Sequence, residues 1–156
     1  MPMRRPACRE IGDKAALEEA IGDAFPGARL DITIQGDGRF SVALYQEGLL
    51  RPLSGSELSD GTLRYLLWVA ALLTPRPPSL MVLNAPETSL HPDLLPALGR
   101  LIVRASEVTQ VWVVSHADRL IAGLNQSARR NPIEVEKELG QTRVLGQGLL
   151  DEPPWH

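Results

Sequence analysis

The chain has 156 residues, 44% hydrophobic and 22% charged, which is long enough for one domain with a real core and too apolar for a disordered segment. A net charge of −3 offers no general attraction to phosphate backbones, and the lone Cys8 excludes an internal disulfide framework or a paired-thiol metal site. The longest apolar run, Tyr65 to Leu73, is about half of a membrane helix, so the expectation is a soluble protein of a reducing cytoplasm, its short elements separated by 13 prolines and 13 glycines.

In chain order, Met1-Pro-Met-Arg-Arg-Pro6 precedes no apolar stretch and reads as a flexible leader over residues 1–11 rather than a secretion signal. A single α/β domain is expected over 12–150, followed by a tail over 151–156. Gly12 or Asp13 can cap a helix from Lys14 to about Phe25, on which Ala16, Leu17, Ala20, Ile21 and Ala24 recur at helical spacing before Pro26-Gly27 ends it. Leu30, Ile32 and Ile34, then Phe40, Val42 and Leu44, alternate with other residues on either side of Gln35-Gly-Asp-Gly38, which predicts an antiparallel hairpin. A polar stretch from Gly48 to Gly61 leads into an apolar helix, Thr62 to Leu73, stopped by Thr74-Pro75-Arg-Pro-Pro78.

Leu80 to Leu83 and Val111 to Val114 are short apolar runs of the kind expected of strands buried on both faces of a parallel sheet. A helix from about Pro92 to Ala105 joins them into a β-α-β unit. Asp118 to Leu124 predicts a short helix, and Ile133 to Glu136 with Thr142 to Leu145 flank Leu139-Gly140 as a final hairpin.

Polar motifs stand at three of these junctions. Leu58-Ser59-Asp60-Gly61-Thr62 opens a helix, where a serine hydroxyl and a glycine amide suit an anionic phosphate, and where a plain serine cap with a tight turn suits the same letters. Asn84-Ala-Pro-Glu87-Thr-Ser-Leu-His-Pro92 follows an apolar strand, the end of an α/β sheet at which ligands gather, although Pro86 and Pro92 also shape an ordinary strand-to-helix loop. Ser115-His116 follows the next strand, placing an imidazole at the same edge, where a surface or capping histidine is the plainer alternative.

Together these residues resemble a known set. Leu58 to Arg64 looks like the signature segment of ABC-type ATPases, Leu80 to Pro92 resembles a Walker B strand with its D-loop, and Ser115-His116 is similar to a switch-histidine loop. Their order is that of the AAA-family ATPases related to RecF and SMC proteins, over about Leu49 to Leu124. The resemblance implies the C-terminal lobe of an ABC-ATPase-like P-loop NTPase fold: a short, mainly parallel sheet with flanking helices plus β-hairpins. It also implies ATP with Mg²⁺ as cofactors and a head that dimerises around the nucleotide. Ser59, Asp60, Gly61 and Thr62 would meet the γ-phosphate held by a partner, His116 would sense the γ-phosphate in cis, and Asn84 would stand at the metal position.

Departures from that pattern carry equal weight. No Gly-x-x-x-x-Gly-Lys-Ser/Thr string occurs in the 156 residues, so the chain reads as a natural half, a truncated product or an excised piece. Asn84 replaces the acidic metal-strand residue and keeps an oxygen without its charge; Ala85 replaces the glutamate that handles the attacking water. Glu87 is the substitute catalytic carboxylate within reach in sequence. Two expectations follow: an ATPase-like lobe, inactive alone, working with a homodimer partner or a phosphate-loop lobe; or a non-enzymatic dimerisation or partner-interaction module derived from one. Arg4, Arg5, Arg9, Arg129 and Arg130 could form small basic patches for nucleic acid, but no aromatic stacking series accompanies them.

Overall fold

The computed structural model describes residues 14–34, 36, 38–125, 130–138 and 141–145. The leader, the caps Gly12 and Asp13, the turn residues Gln35 and Asp37, the Leu139-Gly140 turn and the tail lie outside the described residues. The chain divides into two compact units, Met1–Gln126 and Ser127–His156.

In the first unit, helix α1 (Lys14–Ala24) buries Ala16, Ala20 and Ile21, one stripe at helical spacing. Gly27 adopts φ +75°, a left-handed turn that an L side chain resists, and the chain reverses into strand β1 (Arg29–Ile34). Strand β2 (Phe40–Tyr45) pairs antiparallel with β1, Ile32 opposite Val42 and Leu30 opposite Leu44. Ile21, Leu44 and Leu58 form a small core between α1, this sheet and the chain beyond it, while Ile32, Ile34 and Phe40 remain exposed.

The polar stretch from Gly48 to Gly61, for which the sequence suggested no element, contains structure. A two-residue strand β3 (Leu53–Ser54) pairs with β2, and a 3-10 turn spans Gly55–Glu57. Its start is fixed by Glu57, whose carboxylate accepts the Ser54 amide at 2.9 Å, the Ser54 hydroxyl at 2.8 Å and the Arg51 guanidinium at 2.7 Å. Helix α2 (Asp60–Leu72) starts two residues before the expected Thr62.

Strands β4 (Leu80–Asn84) and β5 (Gln110–Val114) are parallel neighbours, Leu80 opposite Gln110 through Asn84 opposite Val114. Helix α3 (Leu95–Ala105) connects them after a 3-10 turn at Pro92–Leu94. The main core sits under this sheet: Tyr65, Val69 and Leu72 of α2, Leu83 of β4 and Leu94, Leu95, Leu98, Leu101 and Ile102 around α3. The Tyr65 hydroxyl donates to the Ala20 carbonyl at 3.0 Å, and its ring stands edge-on to Phe25, tying α1 to α2. Helix α4 (Asp118–Leu124) crosses α3 with Gly99 facing Gly123, so closely that a Cβ on Gly99 would lie 3.1 Å from the Gly123 Cα.

One expectation about the sheet is corrected. Met81, Leu83, Val111 and Val113 face the core, whereas Leu80, Val82, Trp112 and Val114 are exposed on the other face. The strands are buried on one face, because the described helices pack on that side only. In the second unit, β6 (Val135–Glu138) and β7 (Gln141–Val144) form the expected antiparallel hairpin, Glu136 opposite Arg143, with the first strand two residues later and the second one residue earlier than the sequence suggests.

Candidate functional site

The loop leaving β4 is pinned at every step. Ala85 sits at φ +46°, unusual for a residue with a Cβ, and its amide donates to the Val114 carbonyl at 2.8 Å, extending the ladder one residue past Asn84. The buried Pro86 turns its carbonyl to the Trp68 indole N–H on α2, 3.2 Å away. Turn hydrogen bonds then run from the Thr88 amide to the Ala85 carbonyl and from the Leu90 amide to the Glu87 carbonyl. Ser89 takes a second left-handed conformation, φ +64°.

At one end of this loop stands the signature-like segment. Ser59 caps α2: its Oγ accepts the Thr62 amide at 3.2 Å and shares a hydrogen bond of 2.9 Å with the Thr62 hydroxyl. The plain capping role is therefore filled, with Ser59 still exposed. Gly61 packs so tightly on the loop that a Cβ would lie 3.2 Å from the Ser89 carbonyl oxygen. Asp60, exposed in the first turn, already places a negative charge where the helix dipole favours one and would compete with an incoming phosphate. His91 ends the loop by capping the 3-10 turn, its Nδ1 accepting the Asp93 amide at 3.3 Å, while the Asp93 carboxylate accepts from Arg119 of α4 at 2.9 Å.

At the other end stand Glu87, Ser115 and His116. The Glu87 side chain is only 10% exposed, whereas His116 is 92% exposed. Glu87 Oε1 accepts the His116 amide at 3.3 Å and lies 3.4 Å from its Nδ1. Burial pushes the Glu87 carboxyl upward, but hydrogen bonds from its own amide, the Ser115 hydroxyl and the His116 amide, with the imidazole nearby, outweigh it and hold the group below the usual glutamate range.

The structure thus links the three motifs through residues 85–91 rather than gathering them at one point. Gly61 meets the loop at Ser89, and His116 meets it at Glu87. Asn84 is exposed at the β4 exit beside the bare sheet face. Among the described residues no cluster of three or more His, Cys, Asp or Glu could hold a metal ion, and Asn84 contributes one neutral oxygen. This donor set does not fit a divalent cation unaided. A groove of about 380 Å³ between α1 and α3, lined by Glu19, Asp23, Arg100 and Arg104, shares no residue with the loop, and ion pairs from Arg100 to Asp23 and Arg104 to Glu19 span it.

Sequence reasoning missed Trp68 and Arg119 as members of this region, and found Asp93 only as the end of the Thr88 to Asp93 stretch that the resemblance assigns to a dimer interface. Trp68 lies within a helical apolar pattern that carries no sign of a hydrogen bond 18 residues away. Asp93 and Arg119 are 26 residues apart and meet only because α3 and α4 pack together.

Among protein families, the one described as "AAA domain, putative AbiEii toxin, Type IV TA system" matches residues 8–122. No curated protein matches the chain. Solved structures that resemble it include one described as "Structural biochemistry of ATP-driven dimerization and DNA stimulated activation of SMC ATPases", at 16% identity and TM-score 0.64, covering 86% of this chain and 83% of that one. The SMC head domain from Thermotoga maritima aligns at 17% identity and TM-score 0.60, over 89% of this chain and 48% of that one. A Pyrococcus furiosus Smc head with an extended coiled coil, bound to the C-terminal domain of ScpA, aligns at 14% identity and TM-score 0.61, over 84% and 33%. At such identities the likeness establishes the fold, that of SMC ATPase heads, and the chain spans half or less of the latter two.

Proposed function

This chain belongs to the AAA-domain family whose profile spans residues 8–122, and on that premise we propose that it is the signature-bearing lobe of an ABC-type ATPase. In this reading it gives contacts to ATP that a phosphate-loop lobe or a second subunit holds. The observation that carries the reading is the 85–91 loop, which touches the Gly61 helix start at Ser89 and the His116 loop at Glu87, so a ligand felt at one is felt at the other.

The Ser59 hydroxyl and the amides from Asp60 to Thr62 meet the γ-phosphate of a nucleotide held by the partner, with Asp60 weakening that grip. His116, exposed at the sheet edge, meets a γ-phosphate in cis. Asn84 would offer Mg²⁺ one neutral oxygen, too little to hold the ion without the nucleotide and the other lobe; with an amide there and a methyl group at Ala85, the chain alone does not turn ATP over. Of the two catalytic candidates, Glu87 and His116, only the histidine is open to a ligand. The exposed Leu80, Val82, Trp112 and Val114 support a partner, either the phosphate-loop lobe or a second copy, settled on the bare sheet face beside Asn84. Among the described residues no helix is long and apolar enough to cross a membrane, in keeping with a cytoplasmic site of action. A net charge of −3 lends no support to direct nucleic-acid binding.

A second reading, a non-enzymatic interaction module, draws on the same bare face together with Asn84 and Ala85. The two separate in one experiment. The chain is assayed alone and with a phosphate-loop lobe supplied, as is or with Ala85→Glu and with Ser59→Arg. The ATPase reading expects background turnover alone, turnover once the lobe and Ala85→Glu are combined, and loss of nucleotide-dependent dimerisation with Ser59→Arg. Inactivity of the repaired assembly, or dimerisation that ignores both ATP and Ser59→Arg, would establish the module instead.

A further inference from the structure

Glu87 combines features that a base handling water does not need. Its side chain is nine-tenths buried, and among the described residues it accepts the His116 amide at 3.3 Å and faces the imidazole Nδ1 at 3.4 Å, while its own amide and the Ser115 hydroxyl help to hold its pKa down. Ser115, which helps to lower the Glu87 pKa, accepts the Ala117 amide at 3.1 Å and so ties the start of α4. The second carboxylate oxygen, Oε2, is buried without a hydrogen-bond partner among the described residues. From behind, the Trp68 indole fixes the carbonyl of the preceding residue, Pro86. A carboxylate kept at such a desolvation cost, with its bonding directed at one exposed histidine, is arranged to hold that histidine.

We propose that Glu87 is a positioning residue, a post that grips the His116 backbone amide and faces its Nδ1, so that Nε2 is the ring atom presented to a ligand. This rests on the reading of His116 as the residue that meets a phosphate, and it deepens that reading. Because Glu87 belongs to the same loop that Gly61 touches at Ser89, a shift of the signature-like helix start displaces the post and with it the imidazole. The geometry assigns Glu87 to coupling between the two motifs rather than to proton transfer. In the neutral ring a carboxylate opposite Nδ1 favours the tautomer with its proton there, which leaves Nε2 as an acceptor; in the charged ring Nε2 is a donor.

The test is nuclear magnetic resonance on the full chain, free of nucleotide, comparing wild type with Glu87→Met, which fills similar volume without an acceptor, and Glu87→Gln, which restores one. In wild type the neutral His116 ring shows ring-nitrogen shifts of the Nδ1–H form, and its amide exchanges slowly. Glu87→Met moves the ring toward the Nε2–H form and speeds amide exchange by about tenfold, while Glu87→Gln recovers amide protection. Ring-nitrogen shifts and amide exchange that stay at wild-type values in Glu87→Met overturn the proposal; should that variant not fold, unchanged ring shifts together with faster amide exchange in Glu87→Gln do so. None of these signals involves ATP. If the signals behave as expected but His116→Ala leaves the turnover of the assembled ATPase intact, the phosphate reading of His116 fails and the positioning role stands.

Discussion

Replacing Gly99 with alanine sets two opposed effects against each other at the α3–α4 crossing. In a helix interior, alanine is favoured over glycine by about 1 kcal/mol, because the glycine backbone loses more freedom on folding. At Gly99 the new methyl would lie 3.1 Å from the Gly123 Cα, 3.2 Å from its carbonyl carbon and 3.4 Å from the Leu124 nitrogen, all backbone atoms that cannot rotate away. Relieving the contact means moving α4 by a few tenths of an ångström, and overpacking of this kind costs about 1–3 kcal/mol. The expected net loss is about 1 kcal/mol. Gly22 of α1 supplies the control, since a Cβ there meets nothing within 4 Å, so Gly22→Ala gains the propensity term alone. The two variants should differ by about 2 kcal/mol, or roughly 4–8 °C in Tm for a chain of this size. Gly123→Ala, whose nearest contact would be 3.4 Å, should fall between them. Thermal and urea unfolding followed by circular dichroism give the order directly. If Gly99→Ala is as stable as Gly22→Ala, the helices do not cross at the described distance and the packing argument is wrong.

Tyr65→Phe removes the donor to the Ala20 carbonyl while keeping the ring against Phe25, and should cost about 1 kcal/mol in urea unfolding with an unchanged m-value; an effect indistinguishable from zero would mean that the bond does not tie α1 to α2. The Glu57 carboxyl is lowered to about 2, first by the hydrogen bond from Arg51 and then by those from the Ser54 amide and hydroxyl. Its folded pKa lies below the unfolded one, so whatever this group adds to stability is complete above the ordinary glutamate range and fades as pH falls from there toward 2. Carboxyl-carbon titration should place the Glu57 midpoint near that value and Arg51→Ala should raise it; a wild-type midpoint in the ordinary range would show the Arg51 clasp to be absent.

Most elements were legible because each carried its own local signal. Pro26-Gly27 ended α1 within a residue or so, and the alternation of Ile32, Ile34, Phe40 and Val42 marked the hairpin, while its register, Ile34 opposite Phe40, came from the structure. Strand β3 was not legible, since two residues, Leu53 and Ser54, cannot display a period and are held by β2 rather than by their own preference. The apolar runs at Leu80 and Val111 identified parallel strands but not their burial, which depends on what covers each face, a tertiary fact. At the candidate site, Ser59, Gly61 and His116 were singled out from their places at a helix start and a strand exit, and Glu87 from the resemblance alone. What joins them was hidden: the left-handed backbone at Ala85 and Ser89 has no glycine to announce it, and the Glu87–His116 contact spans 29 residues.

The two tryptophans of the described region make the molecule its own optical instrument. Trp112, 58% exposed on the uncovered sheet face, emits from a largely aqueous setting, and any body that settles there strips water from its indole and moves its emission to shorter wavelength. Trp68, half-buried and hydrogen-bonded to the Pro86 carbonyl, sits behind the loop and is sensitive to its release. Docking on the sheet and release of the loop therefore shift emission in opposite directions, readable on a chain whose third tryptophan, Trp155, is replaced by phenylalanine.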